Sequence, residues 1–165
     1  MNRELPRLMI AAPGSGSGKT TLTCGLLQAW KNRGVPVRSF KCGPDYIDPM
    51  FHTEVIGIPS RNLDLFFLGK DTVCRLLAKN TPPDGLALLE GVMGYYDGMG
   101  DSETAGSYDL ARQTETPVIL VTGCKGQALS VAAEVEGFRS FRKDSGIQGV
   151  ILNQIKPVMY PFYQK

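Results

Sequence analysis

Charge of one sign is scarce in this chain: 18 Lys and Arg stand against 16 Asp and Glu, a net charge of +2, and the basic residues form no block. A nucleic-acid backbone or an anionic membrane surface is therefore not the default partner. Long apolar runs are missing, since none approaches the ~18 residues that a membrane span needs. The N-terminal MNRELPRLMIAAPG holds too short an apolar core for a signal peptide. There is one histidine, and four cysteines (Cys24, Cys42, Cys74, Cys124) lie far apart without a C-x-x-C pair. No conventional zinc site or disulfide framework is built that way, and the thiols read as reduced and mostly buried in a cytoplasmic protein. Internal repeats and low-complexity tracts are also absent.

What remains is an ordinary globular composition: 165 residues, 42% hydrophobic and 21% charged, enough for one domain with a real core. Short apolar runs alternate with helical periodicities. Strands are expected at 7–12, 37–41, 86–89, 118–121 and 150–152, and helices at 20–33, 71–79, near 108–114 and at 130–143. Leu22, Leu26, Leu27 and Trp30 share one face of the first helix, and Gly34 stops it. A polar loop with two prolines follows the second strand, and the stretch through Leu65–Leu68 shows no assignable period. Alternating β and α with apolar strands predicts an α/β fold, a parallel β-sheet with helices on both faces. Right-handed crossovers then gather the C-terminal strand ends on one edge, where ligands of open α/β sheets bind. That edge collects a glycine-rich loop, Lys41–Asp48, Glu90–Asp97, Thr122–Gly126 and Asn153.

Only twelve residues follow Asn153, with no helical pattern to cover the last strand. The expectation is the front part of a longer protein. The apolar face of 150–152 and Met159, Tyr160, Phe162 and Tyr163 should be exposed, and such a chain would associate with itself or with a covering partner.

The segment A-P-G-S-G-S-G-K-T-T, ending at Thr21, lies between an expected strand and an expected helix, the context that a phosphate-binding P-loop requires. Gly14, Gly16 and Gly18 permit positive φ and let backbone N–H groups of Ser15 and Ser17 approach phosphate oxygens. The helix N-terminus adds partial positive charge. Lys19 would bridge the β- and γ-phosphates, and the Thr20 hydroxyl would ligate Mg²⁺. Pro13 stands where the consensus has its first glycine. The bland alternative, a glycine-rich turn without a ligand, leaves the Lys-Thr pair unexplained. A GTPase would carry N-K-x-D late in the chain, whereas Asn153-Gln154-Ile155-Lys156 has no Asp. Partition-type switch ATPases carry an extra lysine where this chain has Gly14.

Four acids fall on the same edge: Asp45 and Asp48 after Lys41, Glu90 at a strand end, and Asp97 in Y-Y-D-G. They suit one or two Mg²⁺ ions and substrate positioning. The bland readings are Asx turns for Asp45 and Asp48, a solvated strand end for Glu90 and a plain D-G turn for Asp97. His52 alone reads as a packing or hydrogen-bonding residue.

With FKCGPDYIDPMFH at 40–52, the chain resembles the cobyrinic acid a,c-diamide synthases of cobalamin biosynthesis, amidoligases of the dethiobiotin-synthetase-like P-loop group. The resemblance continues through SRNLDLFF (60–67), EGVMGYYDG (90–98), PVILV and GVILN (149–153), and so covers essentially the whole chain. It implies ATP-dependent phosphorylation of two acetate carboxylates of a corrinoid, followed by displacement of phosphate by ammonia. It implies catalytic roles for Lys19, Lys41, Asp45, Asp48, Glu90 and Asp97, and Mg²⁺ on Thr20, Asp45 and Glu90. The ATP site it implies comprises Gly14 to Thr21 and Asn153, the last at the adenine edge. Hydrogenobyrinic acid or nickel sirohydrochlorin are alternative substrates, and a non-catalytic ATP-dependent partner-binding module is the alternative from another class. The chain departs from the resemblance at Gly123, where an acid is common. The C-terminal glutaminase domain that supplies ammonia in the family is expected to lie outside these residues, and Cys124 has no downstream histidine here to act with.

Overall fold

The structure is a computed structural model that describes residues 5–163. Its centre is a six-stranded sheet in the order β3-β2-β4-β1-β5-β6. The strands are β1 (Arg7–Ala11), β2 (Val37–Cys42), β3 (Ser60–Leu63), β4 (Leu86–Glu90), β5 (Val118–Gly123) and β6 (Ile147–Asn153), every pair parallel. The helices are α1 (Lys19–Asn32), α2 (Ile47–Met50), α3 (Leu65–Asn80), α4 (Ser107–Gln113), α5 (Ser130–Phe141) and α6 (Tyr160–Tyr163). A π-helical turn, Phe51–Ile56, continues α2, and a 3₁₀ turn, Pro157–Met159, leads into α6.

Parallel strands are apolar on both faces because both are covered, and two core clusters result. On one face Leu27 of α1, with Leu22, Leu26 and Trp30 against it, packs on Ile10, Leu88 and Val121. The other unites Met9, Phe40 and Leu89 with Val73 and Leu77 of α3 and Tyr108 and Leu110 of α4. The five expected strands are present, and so are the four expected helices, three of them within a few residues.

Three readings need correction. Residues 47–63 are ordered as α2, the π turn and β3 rather than as loop. β3 is a short run, SRNL, with one buried residue, so its pattern carries little signal; register against β2 from Ser39↔Ser60 to Cys42↔Leu63 holds it. The helix expected at 71–79 begins at Leu65, where Asp64 caps it by accepting from the N–H groups of Phe66 and Phe67. Gly69, at φ 67 and ψ 167, breaks the period and hides that start. At the last strand, Pro157–Tyr163 forms short helical turns, and Tyr163 Oη donates to the Gln127 carbonyl at 2.6 Å. Cover there is partial: β6 is mostly half-buried, Tyr160 and Phe162 are exposed as expected, and Met159 and Tyr163 are instead half-buried.

Candidate phosphate-transfer site

The loop between β1 and α1 takes positive φ at Gly16 (81°) and Gly18 (100°), but not at Gly14 or Pro13. That explains why proline is tolerated at 13, since the positions that need a left-handed backbone are still glycine. Gly18 is the N-cap of α1 and no side chain caps the helix, so its first N–H groups remain donors for an anion. Lys19 folds back over the loop, its Nζ donating to the carbonyls of Gly14 (3.1 Å) and Met93 (2.6 Å). Met93 is a non-glycine residue at φ 46.

β2 and β4 are neighbours with Lys41 and Glu90 in register, so the two side chains project from the same face. Lys41 Nζ lies 2.9 Å from Glu90 Oε1, 2.5 Å from Asp48 Oδ2 and 3.8 Å from Asp45 Oδ2. Thr20, the first helical residue after Lys19, donates its hydroxyl to Glu90 Oε1 at 2.5 Å. The acidic centre and the phosphate loop thereby share one carboxylate oxygen. A cavity of roughly 460 Å³ opens beside them, lined by Gly16, Lys19, Thr20, Lys41, Asp45 and Met93 among others.

Burial alone would depress Lys41, but Glu90 and Asp48 overrule it and hold its ammonium above the ordinary value. Lys19 lacks such partners; burial first, then the Lys41 charge, pushes it down. Burial pushes the Glu90 carboxyl up, against the opposing pull of Lys41 and Thr20. His52 is buried and held below its ordinary value by desolvation, and its Nδ1 lies 2.9 Å from Ser39 Oγ.

The structure thus brings Lys19, Thr20, Lys41, Asp45, Asp48 and Glu90 together. Asp97 stands slightly apart: its Oδ2 accepts the Gly94 N–H at 2.9 Å, the turn contact that a D-G sequence offers. Asn153 leans on the phosphate loop. Its Nδ2 donates to the Ser17 carbonyl at 2.9 Å, and a Cβ on Gly18 would come within 2.3 Å of that nitrogen. Cys124 is buried, its thiol raised by desolvation. Sequence reading gave no role to Ser39 or to the Met93 carbonyl. Ser39 was within reach, because it lies two residues before Lys41 and so on the same face of its strand.

Thr20, Asp45 and Glu90 offer only oxygen donors, and Glu90 Oε2 is buried without a hydrogen-bond partner. Among the described residues no three His, Cys, Asp or Glu side chains form a metal cage by themselves. Oxygen donors of this kind fit Mg²⁺, which takes one or two carboxylates plus nucleotide phosphates and waters. No helix among the described residues is long and apolar enough to cross a membrane.

The profile of the family described as "CobQ/CobB/MinD/ParA nucleotide binding domain" matches residues 8–161. The cobyrinate a,c-diamide synthase of Priestia megaterium is 45% identical over 150 residues, 90% of this chain and 33% of the relative. That of Clostridium acetobutylicum is 45% identical over 153 residues, 93% of this chain and 35% of the relative. The hydrogenobyrinate a,c-diamide synthase of Brucella ovis is 47% identical over 148 residues, 89% and 34% of the two chains. The chain therefore spans about a third of the length of the curated relatives it matches. Among solved structures, the signal recognition particle 54 kDa protein of Aeropyrum pernix superposes with a TM-score of 0.63 at 16% identity, covering 96% of this chain and 37% of that one. The receptor FtsY of Elizabethkingia anophelis gives 0.61 at 15%, covering 90% and 50%. At such identities the likeness is one of fold alone.

Proposed function

This chain belongs to the CobQ/CobB/MinD/ParA nucleotide-binding-domain family, and from that membership we propose that it is the ATP-dependent, carboxylate-activating domain of a cobyrinate or hydrogenobyrinate a,c-diamide synthase. The observation that carries the reading is Lys41, buried among Asp45, Asp48 and Glu90 at the mouth of a phosphate loop whose Thr20 bonds the same Glu90. Nucleotide binding alone needs the loop; this acidic centre is surplus to it.

In the proposed reaction an oxygen of a substrate acetate attacks the γ-phosphorus of ATP, the bond to the β-phosphate oxygen breaks, and ADP leaves. Ammonia then attacks the acyl phosphate carbon, expels phosphate and, after losing a proton, leaves the amide. Lys19 and the uncapped N–H groups of α1 bind and orient the polyphosphate. Lys41, kept charged by its carboxylates, offsets negative charge on the transferring phosphoryl. Mg²⁺, held by Thr20, Asp45 and Glu90, would supply Lewis-acid charge neutralisation when bound. Asp48 fixes Lys41, and Asp97 shapes the loop that faces Lys19. In this reading Asn153 supports the loop edge where adenine would lie.

The proposal extends to a glutaminase domain on the C-terminal side, outside this chain, as the source of ammonia, to a cytoplasmic location and to self-association across exposed apolar surface. The test is ADP formation by the complete gene product with ATP, Mg²⁺ and ammonia, with and without cobyrinic or hydrogenobyrinic acid. ADP release that depends on the corrinoid carboxylate supports the reading. Nucleotide binding with no carboxylate-dependent turnover on either ring would instead favour a partner-binding module.

A further inference from the structure

Two buried polar atoms beside the site have no hydrogen-bond partner, and they face each other. His52 Nε2 and Glu90 Oε2 are 3.7 Å apart, both side chains are fully buried, and neither atom is otherwise engaged. The distance exceeds a formed hydrogen bond, so the two are in line for one that needs a shift of several tenths of an ångström. Two bare acceptors opposed in a dry interior would repel, and each unpaired atom would carry a desolvation cost. A proton between them removes both problems. It belongs on Nε2 when Nδ1 serves as acceptor, and Nδ1 has a donor at hand in the Ser39 hydroxyl 2.9 Å away.

The backbone is arranged to deliver this ring. His52 sits on the π-helical turn Phe51–Ile56, and its carbonyl accepts the Ile58 N–H at 2.9 Å. Such turns re-aim a side chain relative to a regular helix and are frequent at functional sites. Ser39 and Lys41 lie on one face of β2, and Glu90 is the register partner of Lys41. The imidazole faces Oε2 of the carboxylate, while Thr20 bonds Oε1.

We propose that His52 is a positioning residue for Glu90: the Oε2 acceptor selects the Nε2–H tautomer, the Ser39 hydroxyl donates to Nδ1, and the Nε2–H holds Oε2 so that Oε1 is kept aimed at Thr20 and the phosphate cavity. This rests on the reading above, in which Glu90 serves a nucleotide-bound divalent cation. Removing an outer partner of a metal-binding carboxylate typically costs ten- to a hundredfold in metal affinity.

The test uses the tag-free chain, in which His52 is the only histidine. Labelling histidine with ¹⁵N therefore gives the spectrum of one imidazole, and the Nε2–H tautomer is expected at neutral pH; the Nδ1–H tautomer overturns the proposal. Mn²⁺ titration with a non-hydrolysable ATP analogue, followed by electron paramagnetic resonance, supplies the second readout. His52→Leu should weaken Mn²⁺ binding about ten- to a hundredfold and leave metal-free nucleotide binding unchanged. His52→Gln, which returns an N–H near the Nε2 position, should recover most of the loss. His52→Asn, which can reach Ser39 but not Glu90, should not. Wild-type affinity in all three variants, or rescue by Asn and not Gln, would overturn the role of His52 alone. Failure of the wild type to bind Mn²⁺ with the nucleotide would overturn both this proposal and the reading beneath it.

Discussion

Lys41→Met probes the electrostatics of the site most directly. Methionine keeps the apolar stem and removes an ammonium that lies within 4 Å of Asp45, Asp48 and Glu90. The side chains of Asp45 and Asp48 are 29% and 19% exposed, that of Glu90 not at all. Water can therefore solvate the first two carboxylates when their cation is gone, and the uncompensated cost falls on Glu90. Removing one partner of a buried pair costs about 3–5 kcal/mol. Glu90 can limit the damage by taking up a proton, which places the loss near the lower end, about 3 kcal/mol at pH 7. Adding Glu90→Gln should return about 2 kcal/mol, and adding Asp45→Asn less than about 0.5 kcal/mol, because only the first removes a buried charge. The pH dependence has a definite sign. Burial already raises Glu90 above 4.5 against the pull of Lys41, and loss of Lys41 raises it further. A raised carboxyl contributes stability that is fully present below its unfolded value and is lost as pH rises through its folded one. The variant should therefore match the wild type best near or below pH 4.5 and fall behind it as pH climbs to neutrality. Urea unfolding followed by the fluorescence of Trp30, the single tryptophan, measures this. A loss below about 1 kcal/mol that does not vary with pH, or equal rescue by Asp45→Asn, would refute the reasoning.

Lys19→Ala should abolish ADP formation by the complete product while the chain still unfolds cooperatively, since Nζ meets only two loop carbonyls; normal turnover in a folded variant would remove the phosphate-loop assignment. Gly18→Ala should cost about 1–2 kcal/mol from backbone strain and weaken nucleotide binding at least tenfold, because φ is +100° and the new Cβ would meet Asn153; calorimetric titration with ATP checks it. Cys42 is buried, with its thiol pushed up to about 12 by desolvation. Iodoacetamide at pH 8 should leave it and buried Cys124 unmodified while Cys24 and Cys74, which are half-buried, react slowly; peptide mapping that finds Cys42 labelled first would contradict the packing. The apolar groove of Leu129, Val131, Val150, Leu152 and Phe162 between α5, β6 and α6 should bind a hydrophobic dye and promote association as concentration rises; light scattering and dye fluorescence that show a clean monomer without dye uptake would count against it.

The parts of the site that sequence revealed are those whose signal is local. A phosphate loop needs glycines, a lysine and a hydroxyl within a few residues, between a strand and a helix, and all of that is written consecutively at 14–21. Several strand ends were legible for the same reason: LALL stops at Glu90, VILV at Thr122 and VIL at Asn153. What stayed hidden depends on pairing. Nothing in SRNL marks it as a strand, because the neighbour it pairs with and not its own pattern makes it one. Gly69 similarly split one helical period into an unreadable half and a readable half. Lys41 received its catalytic role from the family resemblance, at the end of the second expected strand. Its first partners are carboxylates, and that follows only from the register that sets it opposite Glu90. Residues 47–63, read as loop, are also the ones that carry His52 to its place.

Charge balance explains why these pieces belong together. Lys19 and Lys41 face Asp45, Asp48 and Glu90, so the centre is already short of positive charge before any nucleotide arrives. A triphosphate entering such a place meets repulsion from the acids unless cations come with it. The helix N-terminus and Lys19 supply part of the attraction, and Lys41 adds to it with an ammonium that it shares with three carboxylates. A loop built for nucleotide alone would gain by losing those acids. Keeping them fits the proposed reading, in which a divalent cation accompanies the phosphates. The shared oxygen of Glu90 joins Thr20 of the loop to Lys41 of the acidic centre, so the charge balance of one cannot change without the other.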